Sequence, residues 1–300
     1  MRVDKYNKMV YNRPMNKLKI LVTGGAGMIG SALCHELENQ GHQVTSLDNY
    51  SNGSSDNHHP GVEYITGSTN NIALYFHDDV KFDYIFHFGE YARVEQSFDD
   101  YEDVMDYNYH AFPKVLDFVK KSGAKIIYSG SSTKFAIGED GKSMSPYAYT
   151  KAQNTELLTA YASWNNIKYA IVYFYNVYGD NEVTDGKYAT VIGKFLKMVR
   201  DGAKSLPITS PGTQRRNFTH LDDTIDGLIR IMKYGSGDNW GIGNDESYSL
   251  LDLVEMLGVK PDMQPEKPGN RMAGEVHNSM LKTLGWVPKI SLKDYIKDRL

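Results

Sequence analysis

The sequence predicts an α/β chain, a doubly wound parallel sheet with a smaller, partly discontinuous C-terminal substrate domain. Two observations predict it. Short apolar runs alternate with amphipathic helical stretches, and a glycine-rich turn stands between the first such run and the first helix.

The elements follow in order. "LKILVT" is a strand, "GGAGMIG" a turn, and "SALCHELENQ" a helix that places Leu33 and Leu37 on one face and stops at Gly41. "QVTSLD", "VEYITG", "FDYIFHF", "AKIIYS" and "KYAIVYFY" are further strands, with helical patterns between most of them. Apolar strands separated by helices mean a parallel sheet covered on both faces. After Asn176 come polar, Gly- and Pro-rich loops such as "DNEVTDGKY" and "ITSPGTQRRN", with helices in "LDDTIDGLIRIM" and "LLDLVEMLG". The expected organisation is a tail over 1–16, a nucleotide-binding domain over 17–176 to which 216–243 returns, and a substrate domain from 177–215 and 244–300.

Composition narrows the function. A net charge of −4 and a pI near 6.1 leave no basic surplus for a phosphate backbone, so no nucleic acid is expected. Cys34 is the single cysteine, which excludes an internal disulfide and fits a reducing, cytoplasmic setting; among Ile29, Leu33 and Leu37 it reads as a buried structural thiol. No run approaches the ~18 apolar residues of a membrane span, and the first sixteen residues lack the apolar core of a signal peptide. Adjacent His58 and His59 lack further ligand-spaced partners, so no metal is expected.

Gly24, Gly27 and Gly30 follow a strand and open a helix, in a spacing variant of the dinucleotide fingerprint. Gly24 permits the tight turn, Gly27 lets backbone approach a pyrophosphate at the helix N-terminus, and Gly30 allows close helix packing. Asp48 ends the second strand, where a carboxylate accepts hydrogen bonds from ribose hydroxyls and repels a 2′-phosphate. The cofactor expected is NAD, in a Rossmann-type fold.

The stretch "SPYAYTK" then poses a choice between Tyr147 and Tyr149. Ser145 as N-cap and Pro146 at the first helical position start a helix, and Lys151 lies four residues after Tyr147 on the same face. A tyrosine titrates near 10; a neighbouring ammonium and an oxidised nicotinamide both favour its phenolate. Tyr147 is therefore the candidate base for an alcohol proton, with Lys151 also able to hold the nicotinamide ribose.

With "DNYSNG", "IFHFGEYARVEQS", "IIYSGSS", "FYNVYGD", "GTQRRNFTHLDD", "WGIGN" and "LGWVP" added in order, the chain resembles the extended short-chain dehydrogenase/reductase family from Lys19 onward, specifically its nucleotide-sugar epimerases and dehydratases and most of all the 4-epimerase branch. The resemblance implies Ser131 as the hydroxyl beside Tyr147 at the reacting sugar oxygen. It assigns Met28, Ile29, Asn49, Ser68, Phe88, Gly89, Asn108 and Ser129 to the cofactor, and Asn176, Arg216 and Lys267 to a nucleotide-diphosphate sugar, a UDP-sugar by preference. It also implies a homodimer built through the helical patterns over 101–121 and 146–164.

In the dehydratase and decarboxylase branches the resemblance leads one to expect a carboxylate just after the hydroxyl residue. Ser132, Thr133 and Lys134 stand there instead, which favours epimerisation: Tyr147 takes the C4 hydroxyl proton, a hydride passes to NAD, and a 4-keto sugar turns about its pyrophosphate before taking the hydride back. A dehydratase or dehydrogenase on a nucleotide sugar is the alternative. The chain departs from the family pattern at Glu90 and Tyr91, where small residues are common, and at Ser68, Tyr173, Asn217 and Lys267. Glu90 reads as a hydrogen-bonding carboxylate or an added acid/base group. Ala273 and Gly274 are small where the 4-epimerase resemblance places a bulky gate, so tolerance of N-acetylated sugars is expected.

Overall fold

The computed structural model describes residues 17–77, 79–135, 144–266 and 275–300. In chain order its first elements are β1 (Lys19–Thr23), α1 (Met28–Asn39), β2 (Gln43–Asp48), β3 (Glu63–Thr66), α2 (Ile72–Tyr75), β4 (Tyr84–His87), α3 (Tyr101–Val104), α4 (Phe112–Ser122), β5 (Lys125–Ser131), α5 (Pro146–Asn165) and β6 (Tyr169–Phe174). There follow β7 (Val177–Tyr178), α6 (Val191–Arg200), β8 (Ser205–Thr209), β9 (Arg215–Asn217), β10 (Thr219–His220), α7 (Leu221–Tyr234), β11 (Gly237–Ile242), β12 (Ser247–Ser249), α8 (Leu250–Met256), β13 (Lys260–Gln264), α9 (Ser279–Thr283) and α10 (Leu292–Lys297).

Seven strands form one parallel sheet in the order β11-β6-β5-β4-β1-β2-β3. The chain runs outward from β1 to β3, then crosses back to β4 on the other side of β1. That reversal leaves a crevice at the C-terminal ends of β1 and β4, where ligands of open α/β sheets bind. Ile20, Leu21 and Val22 are fully buried, since a strand without a polar face must be covered on both sides. One covering layer packs Leu33 and Leu37 of α1 and Leu228 and Ile231 of α7 on the sheet; the other packs Phe112, Val115 and Leu116 of α4 with Leu158 of α5. A third core, with Tyr178, Phe195, Leu206, Phe218, Leu253 and Tyr295, stands beyond the crevice.

The helix that carries the tyrosine starts as its sequence dictates. The Ser145 side chain accepts from the Ala148 amide at 3.1 Å, Pro146 occupies the first turn, and Asn166, at φ +54°, ends the helix. Two expectations need correction. The helical pattern over 101–121 is not continuous: a π-helical stretch, Met105–His110, separates α3 from α4. Pro113 has no N–H to offer the Tyr109 carbonyl, so a regular helix cannot run through. Nor does all of 244–300 leave the sheet, because Leu281 and Trp286 are fully buried in the first covering layer. Trp286 Nε1 donates to the Asp223 carbonyl at 2.9 Å, while the Asp223 carboxylate accepts from the Lys289 and Ile290 amides, both at 3.0 Å. An indole of that size finds its burial on α7. No described helix is long and apolar enough to cross a membrane.

Candidate active site

A cavity of about 580 Å³ fills the crevice, walled by the glycine turn, the end of β2, the loop after β4, the end of β5, the start of α5 and parts of 174–192. Gly24 has φ +74°, and a Cβ there would lie 2.8 Å from the Gly89 nitrogen; at Gly30 it would lie 2.0 Å from the Gly24 carbonyl oxygen. The protein therefore requires both glycines. Gly27 is different. Its φ is −79° and a Cβ would meet nothing closer than 3.4 Å, so the chain alone does not demand glycine there. What bare backbone at Gly27 provides is a helix N-terminus open to the cavity, with no side-chain cap and no acid in the first turn of α1. Uncapped amides beside empty space suit a diphosphate.

Asp48 lies at the cavity edge, 7 % exposed, with Oδ2 accepting from the Ala26 amide at 2.9 Å and Oδ1 from the Tyr50 amide at 2.8 Å. Each oxygen keeps a lone pair for a ribose hydroxyl. The donor set and the glycine cradle both fit NAD. Met28, Ile29, Asn49, Phe88, Gly89 and Ser129 also line the cavity. Ser68 and Asn108 do not. The Ser68 hydroxyl accepts from the Asn70 amide at 3.2 Å, and its neighbours Gly67 and Thr69 form the wall. Asn108 is fully buried behind the wall, where Oδ1 accepts from the Tyr91 amide at 2.7 Å and Nδ2 donates to the Tyr91 carbonyl and the Thr150 hydroxyl.

At the other end, Tyr147 lines the cavity and its hydroxyl makes no hydrogen bond among the described residues, whereas Tyr149 is 45 % exposed and points away. Lys151 is buried, with Nζ donating to the Ser129 carbonyl at 2.8 Å and hydroxyl at 3.2 Å and pairing with Glu90 at 2.5 Å. The Ser131 hydroxyl accepts from Thr133 Oγ1 at 2.9 Å and from the Thr133 amide at 3.3 Å, which leaves its own proton to donate into the cavity. Lys134 turns to Asp238, Asn239 and the Tyr173 hydroxyl. Burial acts to raise the Glu90 carboxyl, but the Lys151 ammonium and His87 overcome it and hold the group below the usual carboxylate range.

Asn176, in the left-handed region at φ +37°, lines the cavity and donates to the Asn217 carbonyl at 3.0 Å. Arg216 lies on β9 outside the cavity wall, with Nη1 on the Arg215 carbonyl at 2.8 Å; Lys267, Ala273 and Gly274 fall outside the described residues. Two charged wall residues escaped sequence reasoning. Arg93 is half-buried and donates to the carbonyls of Tyr188 and Ala92; burial lowers its guanidinium from the ordinary value, opposed by the hydroxyls of Tyr147, Tyr91 and Tyr188. Burial raises the Glu182 carboxyl, which accepts from the Thr190 hydroxyl at 2.7 Å. Arg93 also belongs to a set of ties across the cavity. Arg93 Nη2 reaches the Tyr188 carbonyl at 2.7 Å and Gln96 the Lys187 carbonyl at 3.0 Å, while Asp100 gathers the Tyr91 and Tyr188 hydroxyls and the Lys187 ammonium.

His58 stacks on Tyr64 and His59 on His35, and the described residues contain no cluster of three or more metal-ligating side chains. Cys34 is fully buried, and burial pushes its thiol well above the ordinary range, so it is no nucleophile.

A family model described as the NAD dependent epimerase/dehydratase family matches residues 20–243. UDP-glucuronic acid decarboxylase 6 of Arabidopsis thaliana is 28 % identical over 313 residues, covering 93 % of this chain and 87 % of its own. A putative UDP-glucose 4-epimerase of Methanocaldococcus jannaschii is 28 % identical over 302 residues, covering 93 % and 96 %. Among solved structures, UDP-glucose 4-epimerase of Thermotoga maritima with UDP-glucose superimposes with a TM-score of 0.85 at 25 % identity, covering 93 % of this chain and 96 % of that one.

Proposed function

Because this chain belongs to the NAD dependent epimerase/dehydratase family and uses NAD, we propose that it inverts C4 of a nucleotide-diphosphate sugar, a UDP-sugar by preference, through a transient 4-keto sugar. One observation carries the choice of epimerisation. The segment after Ser131 offers the buried hydroxyl of Thr133, and the carboxylates on the cavity wall are engaged elsewhere: Asp48 with amides, Glu90 with Lys151, Glu182 with Thr190. A hydroxyl cradle serves proton transfer at an alcohol; expelling water or carbon dioxide calls for a further acid or base.

The bound NAD supplies the hydride acceptor and donor. Tyr147, whose hydroxyl makes no hydrogen bond among the described residues, takes the proton from the sugar alcohol and returns it, and Ser131, oriented by Thr133, donates to the same oxygen. Asn176 and Thr190 face the diphosphate side of the cavity, with Arg216 and Lys267 as its proposed outer anchors. Exposed Tyr101, Tyr109, Tyr149 and Trp164, on or beside α3 to α5, support a homodimer through those helices, and the reading is of a cytoplasmic enzyme.

The test is proton NMR of the protein with UDP-glucose, UDP-galactose and their N-acetyl forms, without added reductant. Interconversion without net NADH that is lost in Tyr147→Phe supports the proposal. Release of carbon dioxide from UDP-glucuronic acid in a parallel incubation, leaving a UDP-pentose, would instead establish a decarboxylase, the second reading that the Arabidopsis relative favours.

A further inference from the structure

Beneath the proton-transfer pair lies a buried carboxylate. Among the described residues the Lys151 ammonium meets Glu90 Oε2 at 2.5 Å, the Ser129 carbonyl at 2.8 Å and the Ser129 hydroxyl at 3.2 Å. The side chain of Glu90 is 0 % exposed, and groups from three elements face it. From α5, Lys151 reaches Oε2 and Asn154 Nδ2 donates to Oε1 at 2.9 Å; from β5, the Tyr128 hydroxyl donates to Oε2 at 3.0 Å; from β4, His87 Nε2 stands 3.4 Å from Oε1. His87 is itself fully buried, its Nδ1 meeting the Thr23 hydroxyl at 2.8 Å, and Tyr147 stands one helical turn before Lys151.

A lone ammonium beside a phenol attracts its phenolate. An ammonium in contact with a carboxylate acts instead as a dipole, and the nearby negative charge cancels much of that attraction. The pairing also helps fix where the ammonium sits, adding a charged contact to the two Ser129 bonds at the end of a flexible four-carbon stem. We infer that Glu90 is a positioning residue for the proton transfer: the buried counter-ion of Lys151, it places the ammonium and sets how strongly that charge acts on Tyr147. The inference rests on the reading of Tyr147 and Lys151 as the proton-transfer pair.

Glu90→Gln keeps the shape and removes the charge. With the ammonium uncompensated, the acid limb of kcat/KM moves to lower pH by about one unit. The alkaline limb moves down as well, because an unpaired buried ammonium gives up its proton more readily. Glu90→Asp retains the charge and returns both limbs toward their wild-type positions even where the rate stays low. A residue that merely packs would lower the rate at every pH and move neither limb.

The experiment pairs two readouts on the full chain. The first is the pH profile of sugar turnover with NAD for wild type, Glu90→Gln and Glu90→Asp. The second needs no substrate: brief acetic anhydride labelling of Lys151 across a pH series, read by peptide mass, whose half-labelling point falls by about one unit or more in Glu90→Gln. Limbs and labelling both within about 0.3 units of wild type overturn the inference. If no sugar is turned over, the proton-transfer reading fails by itself and the labelling decides the role of Glu90. If Glu90→Gln does not fold, the double variant Glu90→Gln/Lys151→Met decides: recovery of folding supports a counter-ion, and failure in both overturns it.

Discussion

Replacing Gly27 with alanine separates what the glycine turn does for folding from what it does for the cofactor. In the folded chain the added methyl meets only the Gly24 carbonyl oxygen, at 3.4 Å, and φ of −79° suits any residue. Alanine is a poorer N-cap than glycine by roughly 0.5–1 kcal/mol, and the loss of unfolded-chain freedom returns about 0.4–1 kcal/mol, so stability should change by less than about 1 kcal/mol. That corresponds to a melting shift of at most about 3 °C. On the cavity side the same methyl would crowd the α1 amides where the proposed NAD diphosphate binds. Losing one or two charge-assisted hydrogen bonds at roughly 1.5–3 kcal/mol each removes about 1.5–6 kcal/mol, or at least about tenfold in affinity. Gly30→Ala is the contrast, because its Cβ would fall 2.0 Å from the Gly24 carbonyl oxygen and the helix must shift even without ligand. The assay is calorimetric titration with NAD together with thermal melts of both variants. NAD binding by Gly27→Ala within about threefold of wild type, or a melt as low as that of Gly30→Ala, would refute the reasoning.

Other perturbations follow from the same geometry. Tyr147→Phe should abolish turnover while Tyr149→Phe, altering an exposed side chain, leaves kcat within about twofold, as initial rates will show. Trp286→Ala should cost about 3–5 kcal/mol in urea titration, because the indole is fully buried and holds the Asp223 carbonyl. Glu90→Gln should destabilise the chain by roughly 3–5 kcal/mol near neutrality, since it strands the Lys151 ammonium in the interior. A carboxyl held below its unfolded value contributes stability above about pH 4.3 and loses it as pH falls through the folded value, so wild type and variant should converge in melts run toward acid.

The parallel sheet and the glycine turn were legible because their causes are local. Apolar runs without a polar face demand a covered sheet, Gly24 demands its positive φ, and Ser145 with Pro146 starts a helix wherever it stands. Side-chain direction was less legible. Ser68 and Asn108 sit one residue from wall residues, and a reading by position cannot say which neighbour turns inward. Arg93 lay within a quoted motif, yet its burial depends on Tyr188, 95 residues away. The packing of Trp286 on α7 and the π-helical stretch ahead of Pro113 arise from long-range burial and a missing donor, which hydrophobic spacing does not register.

The ties between the loop after β4 and residues 187–188 have a bearing on exchange with solvent. They join segments rooted in different cores, so drawing those two walls apart takes several bonds opening together. A nucleotide's residence between them should then follow the frequency of that opening, separately from its affinity for the closed state, which the NAD off-rate in wild type and Gln96→Ala checks. One of the ties, Lys187 to Asp100, has a lysine exposed to less than half and should weaken as salt is added. Coenzyme retention through purification should then fall modestly as the salt of the buffer rises, by what one partly exposed ion pair contributes, and the NAD left after desalting at low and high salt measures it.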